Sequence, residues 1–101
     1  MKRIKNIDDG VRIFNETDGA LLIDVRTRSE FKEGHIPGSV NIPLQMIDQV
    51  EDIAESTDMP LFVYCRSGGR SGQAAVLLEE RGYTDVQNIG GIAEYTGEVE
   101  R

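Results

Sequence analysis

The sequence predicts an α/β fold, a mostly parallel sheet of four or five strands with helices on both faces. Two short apolar runs, at residues 20–25 and 61–64, have the length and composition of buried strands. Strand-like and helix-like segments alternate along the chain, which is typical of parallel sheets built with right-handed crossovers. With 101 residues, we expect one domain that covers residues 1–101.

Polar and turn residues bound the elements predicted in the first part of the chain. Residues 3–5 predict a short edge strand, and Asn6 is expected to cap the helix that follows. The run at 20–25 predicts a central parallel strand. Ser29 is expected to cap a single helical turn that stops at Gly34.

The second part of the chain continues the alternation. A Pro-Gly turn precedes a short strand, and a later helix carries an apolar stripe opposite an acidic face. The predicted elements are strands at 40–42, 61–64 and 86–89, helices at 44–55 and about 70–80, a glycine turn at 90–91, and at most a short helix at 92–98.

The charge and composition of the chain exclude some classes of partner and indicate where the protein works. The net charge of −7 and the pI near 4.6 argue against nucleic acid or an anionic membrane as a partner, because the overall field repels both. We expect no signal peptide, because no apolar run follows the basic N-terminal residues, and the sequence holds no apolar stretch approaching ~20 residues. One cysteine cannot form an internal disulfide. We therefore expect a cytoplasmic protein.

A loop between the strand at 61–64 and the next helix holds the residues best suited to chemistry. Its glycines permit positive-φ backbone that turns several N–H groups toward one point, and the helix adds unpaired amides and the positive end of its dipole. Such a nest binds anions. The candidate site residues are Cys65, Arg66, Ser67, Gly68, Gly69, Arg70 and Ser71.

We expect Cys65 to be a reactive thiolate. A single cysteine often packs as a small hydrophobic residue, but such a residue needs neither two arginines nor a glycine pair beside it. Amides together with Arg66 and Arg70 are expected to lower the Cys65 pKa below its reference of roughly 8.5. Ser71 is expected to cap the following helix, and a direct proton role for it stays open.

Two further polar residues are weaker candidates. Asp24 lies near the end of a predicted strand, where open α/β sheets place their sites, and is expected to orient backbone or an arginine; a helix cap or turn acceptor is the alternative. His35, in a segment rich in turn residues, is expected to be a hydrogen-bonded structural group more than a general base. The single His and Cys do not provide zinc spacing, so we expect no metal and no cofactor.

Three ordered signatures resemble the rhodanese-like domain family, and the resemblance covers nearly the whole chain. The first combines residues 22–26 and 30–31 with the segment 34–43. The second is the loop 65–70, which resembles the family's active-site loop. The third is the closing glycine turn at 90–92.

This resemblance implies sulfur transfer. The Cys65 thiolate would attack the sulfane sulfur of a donor such as thiosulfate, become a persulfide, and pass the sulfur to cyanide or a thiol. The residues support the same two-step chemistry, because the amide nest that holds a thiolate can also hold a charged outer sulfur. Arg66 would hold the anionic end of the donor, and Arg70 would brace the loop or the substrate.

Other functions stay open. A phosphatase or arsenate reductase uses a similar loop but places five residues between cysteine and arginine, whereas four separate Cys65 from Arg70. The resulting tighter loop suits a single sulfur atom. A non-enzymatic protein-binding module and a persulfide carrier that exchanges sulfur with a partner enzyme are the remaining alternatives. The acidic helix 44–55 is a candidate docking face, although a solvated face is the default.

Overall fold

Four strands form one parallel sheet, in the order β2-β1-β3-β4. The computed structural model describes residues 4–101. The strands are β1 (Leu21–Asp24), β2 (Ser39–Asn41), β3 (Leu61–Cys65) and β4 (Val86–Gly91). The predicted α/β class and parallel sheet are confirmed. The two strands with the strongest apolar runs, β1 and β3, lie at the centre.

Helical segments cover both faces of the sheet. The α-helices are α1 (Ile7–Asn15), α2 (Arg28–Glu33) and α3 (Gly69–Glu80), and two 3₁₀ segments span Leu44–Asp52 and Ile92–Glu94. Among residues 4–101, no helix has the length and apolar character needed to cross a membrane.

The alternation of side chains along β3 decides which face carries the cysteine. Phe62 and Tyr64 pack with α1 residues in one apolar cluster, whereas Val63 and Cys65 pack with Ala74 and other residues in a second cluster on the opposite face. All five residues of β3 are buried, which explains its continuous apolar run. Cys65 therefore lies on the face covered by α3.

The beginning of the described chain differs in one respect from the expectation. Asn6 caps α1 as predicted, and its Oδ1 accepts a hydrogen bond from the Asp9 amide at 2.9 Å. The edge strand predicted at 3–5 is wrong for residues 4 and 5, which are not in a strand. Arg3 lies outside the described residues.

Thr27, and not Ser29, caps α2. The Thr27 hydroxyl accepts from the Glu30 amide at 3.2 Å, and Glu30 Oε1 accepts from the Thr27 amide at 3.0 Å. This reciprocal pair is a capping box, which satisfies two backbone donors at once. The prediction of Ser29 was wrong because it overlooked the Thr-x-x-Glu spacing, which places the helix start two residues earlier.

The helix predicted at 44–55 is a 3₁₀ segment with a break. The backbone at Met46 is non-helical (φ −113°, ψ 21°), so the segment consists of two short turns, and long 3₁₀ runs are uncommon. Only Ile47 and Val50 are buried within it, while Met46 and Ile53 are 37% and 42% exposed. The apolar stripe predicted for an α-helix is therefore only partly buried.

The glycine pair at 90–91 belongs to β4 and is not the turn that we predicted. Pairing with β3 passes from Val63↔Asn88 to Tyr64↔Gly90, so Ile89 is the extra residue of a β-bulge. Gly90 has φ +108°, a conformation that favours glycine. The strand continues to Gly91, beside Cys65, and brings β4 alongside the candidate loop.

Gly10 tests how closely α1 packs on the sheet. A Cβ added there would lie 2.4 Å from the Ile89 Cβ, a β-branched side chain on the sheet. We expect Gly10→Ala to destabilise the protein by about 1–3 kcal/mol, despite the better helix propensity of alanine, because overpacking displaces the helix. Urea unfolding measures the change.

Gly72→Ala in α3 is the matched control. Its added Cβ would meet only the Asn88 Nδ2, at an ordinary contact distance of 3.5 Å. We expect its stability to be equal to or higher than that of the unsubstituted protein. Equal effects of the two substitutions would contradict the packing argument.

Candidate active site

The Cys65 sulfur lies against donor groups of the loop formed by residues 65–71, hereafter the bowl. Cys65 is the last residue of β3 and is only 1% exposed. Its Sγ accepts a hydrogen bond from the Gly68 amide at 3.0 Å and lies 3.5 Å from the Ser71 Oγ. Gly68 is the N-cap of α3 with φ +102°, a left-handed conformation that lets the chain turn into the helix directly after this amide. The sequence predicted positive-φ backbone at both loop glycines and amides directed toward the cysteine. Gly68 and its amide agree with this prediction, whereas Gly69 has no positive φ and is the first residue of α3.

The bowl lowers the Cys65 pKa below its ordinary value. Burial by itself raises the pKa of the thiol, but hydrogen bonds from the Ser71 hydroxyl and from the amides of Ser71, Gly68 and Ser67 outweigh it. The predicted direction is confirmed. The predicted source is wrong in part, because these hydrogen bonds, and not the two arginines, are the principal causes of the lowering.

Arg70 forms an ion pair with a carboxylate of α2. Its Nη1 and Nη2 donate to Glu30 Oε1 and Oε2 at 2.7 and 3.0 Å, a bidentate pair that ties α3 to α2. The hydrogen bond from Arg70 lowers the pKa of Glu30 to about 2, against the effect of burial and with help from Thr27. Of the two roles predicted for Arg70, these contacts favour bracing of the loop.

The capping box of α2 prepares this carboxylate for Arg70. Glu30 Oε1 accepts both the Thr27 amide and Arg70 Nη1, so the cap that begins α2 also orients the acid. Nothing in the local sequence signals the contact with Arg70, which lies 40 residues away.

Ser71 does not cap α3, contrary to the prediction. The N-cap is Gly68, and Ser71 lies in the first turn with 0% exposure. Its hydroxyl lies 2.7 Å from Asn88 Oδ1, 3.2 Å from the Gly68 carbonyl oxygen and 3.5 Å from Cys65 Sγ. The cap prediction failed because the left-handed glycine starts the helix before the serine. The sequence analysis did not identify Asn88 as a residue of the site, because it lies on β4 and outside the loop.

Arg66, Ser67 and Gly69 form the open side of the bowl. All three residues are exposed. Among residues 4–101, Arg66 makes no ion pair. The Arg66 carbonyl accepts the Ala93 amide at 3.1 Å. A Cβ at Gly91 would lie 2.2 Å from that carbonyl oxygen, so only glycine lets β4 approach the bowl this closely.

Asp24 holds the corner between β1 and α2. Its carboxylate accepts the Arg26 amide at 2.9 Å and the Arg26 guanidinium through Nε and Nη2, at distances down to 2.7 Å. The Arg26 Nη2 also donates to the Gly34 carbonyl at 2.7 Å. Asp24 thus binds both backbone and an arginine, the contacts expected of it, and these contacts support the corner from which α2 presents Glu30.

His35 has structural partners in the fold. Its ring stacks on Phe31 with centroids 3.7 Å apart, and its Nδ1 lies 2.9 Å from the Phe31 carbonyl oxygen. Its backbone exchanges two 2.8 Å hydrogen bonds with Glu100. These contacts agree with the structural role expected for this histidine.

Two surface cavities do not contain the cysteine. One of about 420 Å³ lies between α1 and the segment at 95–97, away from the bowl. The other, about 340 Å³, borders the bowl through Ser67, and Gly91 of β4, Lys5 and Asn6 also line it. We take the bowl as the candidate site because the polarised sulfur lies there.

The Glu30–Arg70 pair predicts a defined dependence of stability on acid. The pKa of Glu30 falls from 4.5 to about 2 on folding, so its stabilising contribution is present above about 4.5 and is lost as the pH falls through about 2. We expect Glu30→Gln to be less stable than the unsubstituted protein at neutral pH. The difference in unfolding free energy should shrink as the pH falls across this window, as measured by urea denaturation at several pH values.

Glu33→Gln, at the exposed end of the same helix, is the control. It removes the same charge without touching Arg70. A Glu30→Gln effect that is independent of pH, or matched by Glu33→Gln, would contradict the role of the ion pair.

Comparison with known proteins agrees with this geometry. The sequence model of the rhodanese-like domain matches residues 7–98. The uncharacterized protein YqhL of Bacillus subtilis is 42% identical over 81 residues, which are 79% of this chain and 64% of YqhL. The thiosulfate sulfurtransferase PspE of Escherichia coli is 37% identical over 73 residues, 71% of this chain and 70% of PspE.

A solved structure shows the same architecture. A rhodanese with anions from E. coli superimposes with a TM-score of 0.76 at 32% identity, covering 81% of this chain and 98% of that one. The sequence match extends from α1 to the segment after β4, and the superposition shows that the two chains share one fold. The chain therefore belongs to the rhodanese-like domain family.

Proposed function

We propose that this chain is a rhodanese-type sulfurtransferase that carries a sulfane sulfur on Cys65, with thiosulfate as donor and cyanide or a thiol as acceptor. The observation that carries the proposal is the hydrogen bond from the Gly68 amide to Cys65 Sγ at the start of α3. Similarity to a thiosulfate sulfurtransferase supports sulfur transfer in general terms. The identities of donor and acceptor, and the cytoplasmic location, stay our predictions.

The first step is loading of the cysteine. A lone pair of the Cys65 thiolate attacks the outer sulfur of thiosulfate, an S–S bond forms, and the S–S bond of the donor breaks with its electron pair leaving on sulfite. Charge is conserved, since a thiolate and a dianion give a persulfide anion and a dianion. The lowered pKa increases the fraction of Cys65 that is thiolate at a given pH.

The second step returns the thiolate. Cyanide or a thiolate acceptor attacks the outer sulfur, and the electron pair of the cysteine–sulfur bond returns to Cys65 Sγ. An S–S bond is about 2.05 Å long, so loading moves the reactive atom outward by that length from a sulfur that is itself buried. The persulfide is thus more accessible to an acceptor than the thiolate beneath it.

The two arginines of the bowl support different tasks. Arg70 is paired with Glu30 and braces the start of α3. Arg66 is exposed on the rim of the bowl and has the charge to attract the sulfonate end of an anionic donor. The similar E. coli rhodanese was solved with anions, which agrees in general terms with an anionic donor.

The alternatives differ in what they do with sulfur. Four residues between Cys65 and Arg70 favour sulfur over a tetrahedral oxyanion, and so disfavour a phosphatase or arsenate reductase. A persulfide carrier would load sulfur but discharge it only to a partner protein. A non-enzymatic binding module would not load it at all.

Intact-mass spectrometry after incubation with thiosulfate tests the proposal. We expect a gain of one sulfur atom, reversed by cyanide or a reductant, and no gain in Cys65→Ser because a hydroxyl is far less acidic than a thiol. Thermal unfolding checks that the variant stays folded. Sulfur loading or turnover retained by Cys65→Ser would overturn the assignment, and loading without discharge to cyanide or small thiols would favour the carrier.

Arg66→Ala tests the binding of the donor. We expect the KM for thiosulfate to rise about tenfold with a smaller change in kcat, which corresponds to ~1.4 kcal/mol of lost binding. Lys32→Ala removes an exposed positive charge from α2 and is the control for net charge. A fall in kcat alone, or an equal rise in KM for Lys32→Ala, would contradict a specific role of Arg66.

A further inference from the structure

The hydroxyl group of Ser71 lies near more hydrogen-bond acceptors than its single hydrogen can bind. It carries one hydrogen, yet three acceptors lie within reach: Asn88 Oδ1 at 2.7 Å, the Gly68 carbonyl oxygen at 3.2 Å and Cys65 Sγ at 3.5 Å. Ser71 is fully buried, so water does not replace a bond that the hydroxyl gives up. The direction of this one hydrogen therefore depends on which acceptor is strongest.

Asn88 is placed to compete for that hydrogen. The bulge at Ile89 sets Asn88 beside Gly90, whose amide donates to Asn88 Oδ1 at 3.1 Å. The Asn88 Nδ2 donates to the Gly68 carbonyl at 3.1 Å and thereby fixes which end of the amide faces Ser71. Bulges often re-aim side chains near active sites. Here the bulge directs an acceptor at the group that contacts the cysteine.

We propose that Asn88 is a positioning residue that shares the Ser71 hydrogen with Cys65, so that the hydroxyl donates to the sulfur when it is a thiolate and to Asn88 when it is a neutral thiol or carries a persulfide. The part concerning the persulfide rests on the proposed sulfur transfer. A thiolate is a strong, charged acceptor, whereas a neutral thiol or the inner sulfur of a persulfide is a weak one.

Turning of the Ser71 hydroxyl between Asn88 and Cys65 affects both the discharge step and the loaded state. When an acceptor attacks the outer sulfur, the electron pair of the S–S bond returns to Cys65 Sγ as negative charge. A hydroxyl that turns from Asn88 to this sulfur stabilises the departing thiolate. Asn88 keeps the hydroxyl hydrogen-bonded in the loaded state, because a buried donor without an acceptor is costly.

The pH dependence of iodoacetamide alkylation of the sulfur-free protein provides the test. Ser71→Ala removes the donor and should raise the Cys65 pKa by about one unit, the scale of a hydrogen bond to a charged group. Asn88→Ala removes the competing acceptor and should lower the pKa. In the Ser71→Ala background, Asn88→Ala should leave the pKa unchanged, because the hydroxyl through which it acts is gone.

The charged groups near Cys65 keep their partners in these variants. Arg70, on α3, is paired with Glu30 of α2, and Asp24 of β1 is paired with Arg26. The exposed Arg66 lies on the bowl itself and no substitution alters it. Gln87→Ala, which removes the neighbouring amide on β4, is the control and should not shift the pKa.

A purely structural role for Asn88 gives a different result. If Asn88 only supported the bowl through the Gly68 carbonyl, Asn88→Ala would raise the Cys65 pKa, and would do so with or without the Ser71 hydroxyl. Either observation overturns the proposal. Asn88 is exposed, so Asn88→Ala leaves no core cavity and the sign of its shift decides the question even where Ser71→Ala fails to fold.

A second measurement addresses the loaded state. In protein preloaded with thiosulfate and followed by quenched intact mass, Ser71→Ala should slow discharge to cyanide several-fold more than it slows loading. Equal slowing of both steps would overturn the claim about the persulfide. Failure of the protein to load sulfur would overturn the proposed function instead, while the alkylation experiment would still report on Asn88.

Discussion

A negative charge on a buried sulfur is the constraint around which the site is built. Cys65 is 1% exposed, and a charged group removed from water is stable only where hydrogen bonds replace the lost solvation. The Gly68 amide and the Ser71 hydroxyl provide them, together with neighbouring amides of the loop. Because backbone amides are fixed by the fold, they need little reorganisation when the charge appears. Short-range hydrogen bonds therefore stabilise the thiolate more than distant cations do.

The geometry of those donors depends on supports from two other elements, α2 and β4. The Glu30–Arg70 pair ties the start of α3 to α2, and the Thr27 capping box orients Glu30. From the other side, Gly91 lets β4 approach the backbone of Arg66 within a distance that no larger residue permits. The bowl is thus held by contacts on both sides of β3. Its shape is a property of the sheet as well as of the loop sequence.

Local sequence was sufficient to predict the sheet, the loop and the cysteine. The buried run at 61–64 followed by a cysteine, glycines and a helix specifies a strand-to-helix turn, because each feature acts over a few residues. The same local reasoning failed where two signals competed within a few positions. Ser29 and Ser71 were both expected to cap helices, whereas Thr27 and the left-handed Gly68 begin them.

The contacts that complete the site join residues far apart in the chain. Arg70 binds Glu30, 40 residues away in the sequence, and Ser71 contacts Asn88, 17 residues away. Local periodicity does not indicate either contact. The sequence alone predicted a cysteine on a strand-to-helix loop of defined length, since propensity, turn chemistry and residue type are local properties. Only the tertiary structure decided which groups solvate the sulfur and which arginine of the loop pairs with Glu30, because those contacts depend on how parallel strands bring their carboxyl ends together.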